Sequence, residues 1–88
     1  MNLRENWELK IDQKVFGELR KFPKKDAVKI ASVLDNNFDP YVGDIEKIKG
    51  EDNTWRRRVG SYRIFYEINQ KAKSVHVFWT ERRTSSTY

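Results

Sequence analysis

Residues 55–67 place cationic side chains between large apolar ones, in an alternation typical of two β-strands joined by a tight turn. Successive side chains of a strand point to opposite faces. Arg56 and Arg58 are therefore expected on one face, whereas Trp55 and Arg57 share the other. Guanidinium groups bind phosphate through planar, bidentate hydrogen bonds, so two of them side by side predict an anionic ligand.

Positive charge is concentrated in the second part of this 88-residue chain. Residues 1–53 carry ten Lys or Arg against eleven Asp or Glu, whereas residues 54–88 carry eight against two. Six of the eight arginines lie in that second part. We therefore expect the partner to be a polyanion or an acidic protein segment.

The residue types that are missing exclude several kinds of site. The chain has no cysteine and one histidine, which excludes disulfide and thiolate chemistry and a Cys/His metal site. We expect no metal ion and no other cofactor. The first residues carry charges and no apolar run, so the sequence predicts neither a signal peptide nor a membrane span. A cytoplasmic protein is expected.

The first half of the chain predicts a strand followed by two helices. Residues 6–11 alternate apolar and polar side chains, as a half-buried strand does. Asp12 is a suitable N-cap for a short helix that ends at Phe22, and Pro23 suits the first turn of a second helix. Residues 39–53 carry few aliphatic side chains among Gly, Asp, Glu and Lys, which predicts a long surface loop.

Three more strands are predicted in the second half, at about residues 54–59, 62–69 and 73–80, separated by two short turns. The element order is then β-α-α-β-β-β. The predicted fold is a single α+β domain over residues 1–88, in which a helical hairpin packs on a largely antiparallel four-stranded sheet.

With this element order, the chain resembles the RelE/ParE superfamily of toxins from bacterial toxin–antitoxin pairs. The resemblance spans nearly the whole chain and rests on residues 46–50, 55–67 and 82–88. It implies an endoribonuclease of the RelE or YoeB kind, which cuts messenger RNA in the ribosomal A site. The ribose 2′-hydroxyl attacks the adjacent phosphate, so the reaction needs a base, cations and an acid but no metal. The resemblance also implies a cognate antitoxin that holds the protein inactive.

The resemblance assigns catalytic roles to several residues. Arg63 matches the arginine that stabilises the transition state, and Arg82 matches a second phosphate-binding arginine. Tyr88 matches the C-terminal tyrosine that stacks on a base or assists proton transfer. Arg56 and Arg58 stand where RelE itself has lysines, one of which is a suspected base. Because a guanidinium stays protonated in proteins, the base must be another residue.

Glu46 is the preferred base, because it occupies the place of the glutamate that similar YoeB-like toxins use. Arg58 also matches these toxins and completes the predicted catalytic set. YoeB-like chains end in His-Tyr, whereas this chain ends in Thr87-Tyr88, so the identity of the acid stays open, with Tyr88 as a substitute. Further cationic side chains are predicted to contact RNA: Arg56, Lys47, Lys49 and Arg83.

Plainer roles stay open for several side chains. Arg63 could form an ion pair with Glu67 within the sheet, and Arg57 could stack on Trp55. The strand position of His76 favours a packing or surface role. The three tryptophans of the chain are predicted to pack in the core: Trp7, Trp55 and Trp79.

Two other functions also stay open. One is a ParE-like inhibitor of DNA gyrase, which shares the fold but lacks the ribonuclease residues, and the arginines at 63 and 82 with Tyr88 argue against it. The other is a catalytically inactive module that only binds an acidic partner. RNA cleavage, gyrase-dependent DNA breaks or the absence of both would distinguish the three functions.

Overall fold

The computed structural model describes residues 7–35 and 38–82, which contain two helices and five strands. Along the chain these elements are β1 (Glu8–Ile11), α1 (Gln13–Leu19), α2 (Lys24–Val33), β2 (Ile45–Lys47), β3 (Thr54–Val59), β4 (Tyr62–Asn69) and β5 (Ser74–Arg82). The predicted α+β class and element order are confirmed, except that β2 is an additional strand.

All five strands belong to one sheet in the order β1-β5-β4-β3-β2. β1 runs parallel to β5, and the other neighbours are antiparallel. The predicted four-stranded sheet is wrong by one strand, because β2 lies within the segment that was expected to be a loop. Its residues pair with β3, from Ile45 beside Arg57 to Lys47 beside Trp55. Three residues among charged neighbours are too few to show the period of a strand.

Local signals set the starts of the two helices. The carboxylate of Asp12 accepts a hydrogen bond from the backbone amide of Lys14 over 3.0 Å, which caps α1. Pro23 precedes α2, and its carbonyl accepts hydrogen bonds from the amides of Asp26 and Ala27. Neither of these described helices is long and apolar enough to cross a membrane.

Both helices cover the same face of the sheet, which we call the helix face. Val15 of α1 and Ile30 of α2 are fully buried in one core with Ile64, Tyr66 and Val77 of the central strands. Burial of one such side chain contributes roughly 1.5–3 kcal/mol. This core therefore holds the helices on the sheet.

The opposite face of the sheet, which we call the open face, is not covered by either described helix. Buried and more exposed side chains alternate along β4, so Arg63, Phe65 and Glu67 project from the open face. Neighbouring strands add further side chains to this face: Glu46, Arg56, Arg58, His76, Phe78, Trp79 and Glu81. Charged and aromatic groups therefore share one surface.

A β-bulge in β5 adds one side chain to the open face. Phe65 of β4 pairs with Trp79, but the next residue, Tyr66, pairs with Val77. Phe78 is thus the additional residue, and its ring lies 6.4 Å from that of Phe65. Two aromatic residues of β5 are therefore opposite one of β4.

The bulge changes the location of one tryptophan. Trp7 and Trp55 pack against the core, as predicted. Trp79 lies outside the core cluster, and its indole Nε1 donates to Oε1 of Glu81 over 3.3 Å. An uninterrupted alternation would have placed Trp79 on the helix face, which is why the sequence pattern assigned it to the core.

A candidate anion-binding site on the open face

Two arginines lie directly opposite each other on the open face. Arg58 of β3 and Arg63 of β4 are register partners. Like charges in this position repel each other, and a carboxylate on the outer side of each arginine offsets its charge. Nε of Arg58 lies 3.7 Å from Oδ2 of Asp44, and Nη1 of Arg63 donates to Oε2 of Glu81 over 3.1 Å. We call these four residues, two cations between two carboxylates, the arginine row.

The side chains of the arginine row are accessible to a ligand. The exposed fraction is 29% for the side chain of Arg63 and 49% for that of Arg58. Ion pairs with this exposure contribute only about 0–1 kcal/mol, so a phosphate can replace the two carboxylates. Both guanidinium groups can then bind the same phosphate through charge-assisted hydrogen bonds.

The predicted base lies in the adjacent row of side chains. Glu46 of β2 and Arg56 of β3 are register partners, and Nε of Arg56 donates to Oε1 of Glu46 over 3.0 Å. Nη2 of Arg56 contacts the same oxygen. Among the described residues, no hydrogen bond reaches Oε2 of Glu46. This oxygen can accept a proton while Arg56 holds the carboxylate in place.

Arg82 does not lie beside Arg63. It is the register partner of Tyr62 on the helix face, and its guanidinium lies 5.9 Å from the centroid of the Tyr62 ring. Glu81 takes the place next to Arg63 instead. Two other predicted site residues, Arg83 and Tyr88, lie outside the described residues.

The two predicted RNA-binding lysines lie away from the arginine row. Lys47 is opposite Trp55 and therefore points to the helix-face side of the edge strand. Lys49 follows β2 in the segment that leads into β3. Both side chains are exposed, so they can contact a ligand that extends beyond the arginine row.

The plainer roles of three residues are now defined. Arg63 pairs with Glu81 and not with Glu67. The guanidinium of Arg57 lies 5.7 Å from the Phe38 ring centroid, so its cation–π partner is not Trp55 but a residue of the core. His76 is a surface residue, as predicted, with 44% of its side chain exposed.

Two buried tyrosines have perturbed acidity. The hydrogen bond from the Tyr62 hydroxyl to Oδ2 of Asp26, 2.7 Å long, raises the pKa of Tyr62, and burial raises it further. Burial is the main cause that raises the pKa of Tyr66, whose hydroxyl donates to the carbonyl of Pro40 over 2.7 Å. Both tyrosines stay neutral at physiological pH and hold segments of the chain on the helix face.

Sequence reasoning does not find the two carboxylates of the arginine row. The Asp44 carbonyl accepts a hydrogen bond from the Arg58 amide over 2.8 Å, which places this residue beside the row. No periodic signal precedes β2, so nothing in the sequence indicates that contact. Glu81 could have been found from the alternation of β5, but the bulge at Phe78 shifts that alternation by one residue.

Comparisons with known proteins add a fold relationship to this geometry. No protein-family model and no curated protein sequence matches the chain. Solved structures do match. The archaeal RelE–RelB complex from Pyrococcus horikoshii matches with a TM-score of 0.71 and 22% identity, over 93% of this chain and 100% of that chain.

Two further structures show the same relationship. The RelBE2 toxin–antitoxin complex from Mycobacterium tuberculosis matches with a TM-score of 0.76 and 16% identity, over 90% of this chain and 100% of that chain. The RelB–RelE antitoxin–toxin complex from Methanococcus jannaschii matches with a TM-score of 0.60 and 26% identity, over 84% of this chain and 89% of that chain. The resemblance to the RelE toxins that the sequence predicts is thus confirmed in the fold.

Proposed function

We propose that this chain, which has the fold of the RelE toxins, is the toxin of a toxin–antitoxin pair and cleaves messenger RNA on the ribosome. The observation that carries the proposal is the pair of opposed arginines, Arg58 and Arg63, with Glu46 held by Arg56 in the adjacent row. Two adjacent cations match the negative charge that builds up when a hydroxyl attacks a phosphate. A carboxylate nearby can take the proton of that hydroxyl.

In the proposed reaction, the ribose 2′-oxygen forms a bond to phosphorus and the bond to the 5′-oxygen breaks. Glu46 accepts the 2′-hydroxyl proton, and Arg58 and Arg63 bind the phosphate oxygens. We assign the proton that the leaving oxygen takes up to Tyr88. The products are a 2′,3′-cyclic phosphate and a 5′-hydroxyl. The remaining cations are assigned to flanking RNA: Arg56, Arg82, Arg83, Lys47 and Lys49.

No metal ion takes part in the proposed reaction. The arginines supply the positive charge that a metal ion would otherwise bring to the phosphate. In residues 7–35 and 38–82, no group of three or more His, Cys, Asp or Glu side chains is arranged to hold a metal ion. The ribosome supplies the orientation of the messenger, which replaces part of the catalytic power that a small enzyme lacks.

A cognate antitoxin is also part of the proposal. The helices form an apolar groove of about 410 Å³, in which Phe16, 45% exposed, lies with Leu19 and Phe22. Lys24 also lines the groove. An amphipathic segment with acidic side chains fits these groups. We place the pair in the cytoplasm, where messenger RNA and ribosomes meet.

The test is messenger cleavage by the purified protein, free of antitoxin, with programmed ribosomes and mapping of the RNA ends. We expect cuts in the A site. Arg63→Ala should slow cleavage by at least about 100-fold, because it removes one group that stabilises the transition-state charge. Arg20→Ala is the matched control, since it removes the same charge from an exposed position on the helical side of the molecule.

Intact messenger RNA from a folded wild-type protein would overturn the proposed function. Equal losses in Arg63→Ala and Arg20→Ala would show that net charge, and not the arginine row, is what matters. The ParE-like alternative is tested by a separate assay, which measures gyrase-dependent DNA breaks.

One observation favours a second candidate, the catalytically inactive binding module. Arg82 lies on the helix face, and Glu81 occupies the position beside Arg63. An arginine row whose charges stay offset by both carboxylates stabilises a reacting phosphate less, whereas the cations outside the row can still bind an acidic protein. Partner binding in the absence of any RNA cleavage would support this candidate.

A further inference from the structure

The bulge in β5 creates an aromatic surface next to the arginine row. Phe65, Phe78 and Trp79, which we call the aromatic strip, all project from the open face, and none of them belongs to the core cluster. Their side chains are half-buried, so part of each ring is accessible. Aromatic rings that stand on a sheet beside cationic side chains are typical stacking surfaces for the bases of single-stranded RNA.

One carboxylate couples the aromatic strip to the arginine row. Oε1 of Glu81 accepts from the indole of Trp79 over 3.3 Å, and Oε2 accepts from Arg63 over 3.1 Å. In the absence of a ligand, a ring that can stack on a base and a cation that can bind a phosphate are thus placed next to each other. A nucleotide carries both of these groups.

A polar cavity lies at the other end of the aromatic strip. The ring of Phe78 is 6.3 Å from that of His76, which lines a cavity of about 350 Å³. We call it the histidine cavity, and its lining residues are Lys10, Asn53, Glu67, Ile68, Asn69, Ser74 and His76. The volume lies at the lower end of the roughly 300–1,000 Å³ that small-molecule sites occupy.

Charged groups surround His76 on two sides. Its Nδ1 lies 3.6 Å from Oε1 of Glu67, and its Nε2 lies 3.7 Å from Oδ2 of Asp12. Of these two carboxylates, Glu67 lines the cavity. It suits the amino group of a nucleobase, because carboxylates accept hydrogen bonds from exocyclic amines such as that of cytosine.

The three features follow one another along β4. Arg63, Phe65 and Glu67 are two residues apart and share the open face, so each step is about 7 Å. Moving along the strand, a ligand meets a phosphate site, then a stacking ring, then a polar cavity. This order matches a single-stranded segment of one or two nucleotides.

We propose that the open face binds single-stranded RNA beside the reacting phosphate, with one base stacked on the aromatic strip and the next base in the histidine cavity. Glu67 accepts a hydrogen bond from the exocyclic amine of the second base, so cytosine binds better than uracil. This subsite rests on the proposed function, because the arginine row supplies its phosphate contact.

The experiment uses fluorescently labelled 2′-O-methyl hexanucleotides of cytidine and of uridine, which cannot be cleaved, and measures binding by anisotropy at fixed low salt. Phe65→Leu keeps the apolar character but removes the stacking ring, and should weaken binding of both probes by about 5-fold or more. Val28→Ala, a truncation at a side chain that is 60% exposed on α2, should leave binding unchanged. Glu67→Gln should reduce the preference for cytidine.

Several results would overturn the subsite. Phe65→Leu could bind as tightly as the wild type, or Val28→Ala could weaken binding equally. The wild type could bind cytidine no better than uridine, or a folded wild type could bind neither probe. The binding assay needs neither ribosomes nor cleavage, so it tests the subsite independently of the proposed function. If the probes bind in a way that depends on Phe65 while the ribosome assay leaves the messenger intact, the subsite is retained and the ribonuclease activity is rejected.

Discussion

Glu81 contacts two side chains of the open face with one carboxylate. It fixes the direction of Arg63 through one oxygen and the indole of Trp79 through the other. In the absence of a ligand, this contact directs Arg63 towards β5 and away from Arg58, its register partner on β3. After a phosphate has bound, the same carboxylate competes with it for Arg63. At the scale of the residue, Glu81 therefore has both a positioning and a competing effect.

Replacement of Glu46 by Gln tests the proposed base. We expect cleavage by programmed ribosomes to fall about 10²–10⁴-fold, because an amide cannot accept the proton. The amide oxygen still accepts hydrogen bonds from Arg56, so the pair of strands β2 and β3 should keep its stability. The rate of cleavage and the melting temperature should be measured on the same protein.

Glu51→Gln is the control for this change, since it removes a carboxylate from an exposed position a few residues further along the chain. It should cleave RNA at the wild-type rate. A rate for Glu46→Gln that equals the rate for Glu51→Gln would exclude Glu46 as the base.

At the scale of the elements, the parts of the fold with local signals could be predicted from the sequence. Asp12 caps α1 through contacts within two residues, and Pro23 precedes α2. The bounds of β3 and β4 follow from the Gly60-Ser61 turn. β2 and the parallel pairing of β1 with β5 depend on partners far along the chain, and no local pattern records such pairings.

In the candidate site, too, some features follow from local signals and others depend on residues far apart in the sequence. Gly60 has a φ of +59°, which a two-residue hairpin turn that begins with glycine requires. Such a turn makes Val59 and Tyr62 partners, so Arg58 and Arg63 must face each other. The two arginines of the row therefore follow from a local turn and could be predicted from the sequence. Its two carboxylates depend on β2 and on the bulge in β5, which could not be predicted.

Gly43, at the entry to β2, is expected to be intolerant of a side chain. Its φ is +105°, and a Cβ atom there would lie 2.8 Å from Nε of Arg57. The guanidinium can move away, so the main cost is the backbone conformation, about 1–3 kcal/mol. Gly43→Ala should lower the free energy of unfolding by that amount in a urea titration.

Gly17→Ala is expected to raise the free energy of unfolding in the same urea titration. Gly17 lies within α1, has no atom within 4 Å of an added Cβ and has no positive φ. Alanine in a helix is more stable than glycine by about 0.5–1 kcal/mol. Destabilisation of both variants to the same extent would contradict the strain assigned to Gly43.

At the scale of the whole molecule, the arginines are divided between the two faces of the sheet. Arg56, Arg58 and Arg63 project from the open face, whereas Arg57 and Arg82 lie over aromatic rings on the helix face. The number of cations in the sequence therefore overestimates the positive charge that one ligand can contact. The face on which each arginine lies is set by the alternation of side chains along its strand and, for Arg82, by the bulge in β5.

The stability of the whole molecule should fall at alkaline pH. The pKa values of Tyr62 and Tyr66 are raised in the folded chain above their ordinary value of 10.0. The folded state then holds these protons more tightly than the unfolded state. Their stabilising contribution is complete below about pH 10 and is lost as the pH rises through the higher folded values.

Melting temperatures measured from neutral to alkaline pH check this expectation. Lysines also titrate in this range, so the comparison is between the wild type and Tyr62→Phe. The variant lacks one of the two raised groups, and its melting temperature should fall less steeply with pH. Parallel curves for the two proteins would contradict a raised pKa for Tyr62.

The additional residue in β5 determines which charge lies beside Arg63 in the candidate anion-binding site. With Phe78 accommodated in the bulge, Glu81 faces Arg63 and Arg82 turns to the opposite face. If the strand were paired without interruption, the parity of every later residue would invert, so that Glu81 would leave the open face and Arg82 would join it. The sign of the charge beside the arginine pair is thus a property of strand register, which a slip of one residue would reverse without any change in composition.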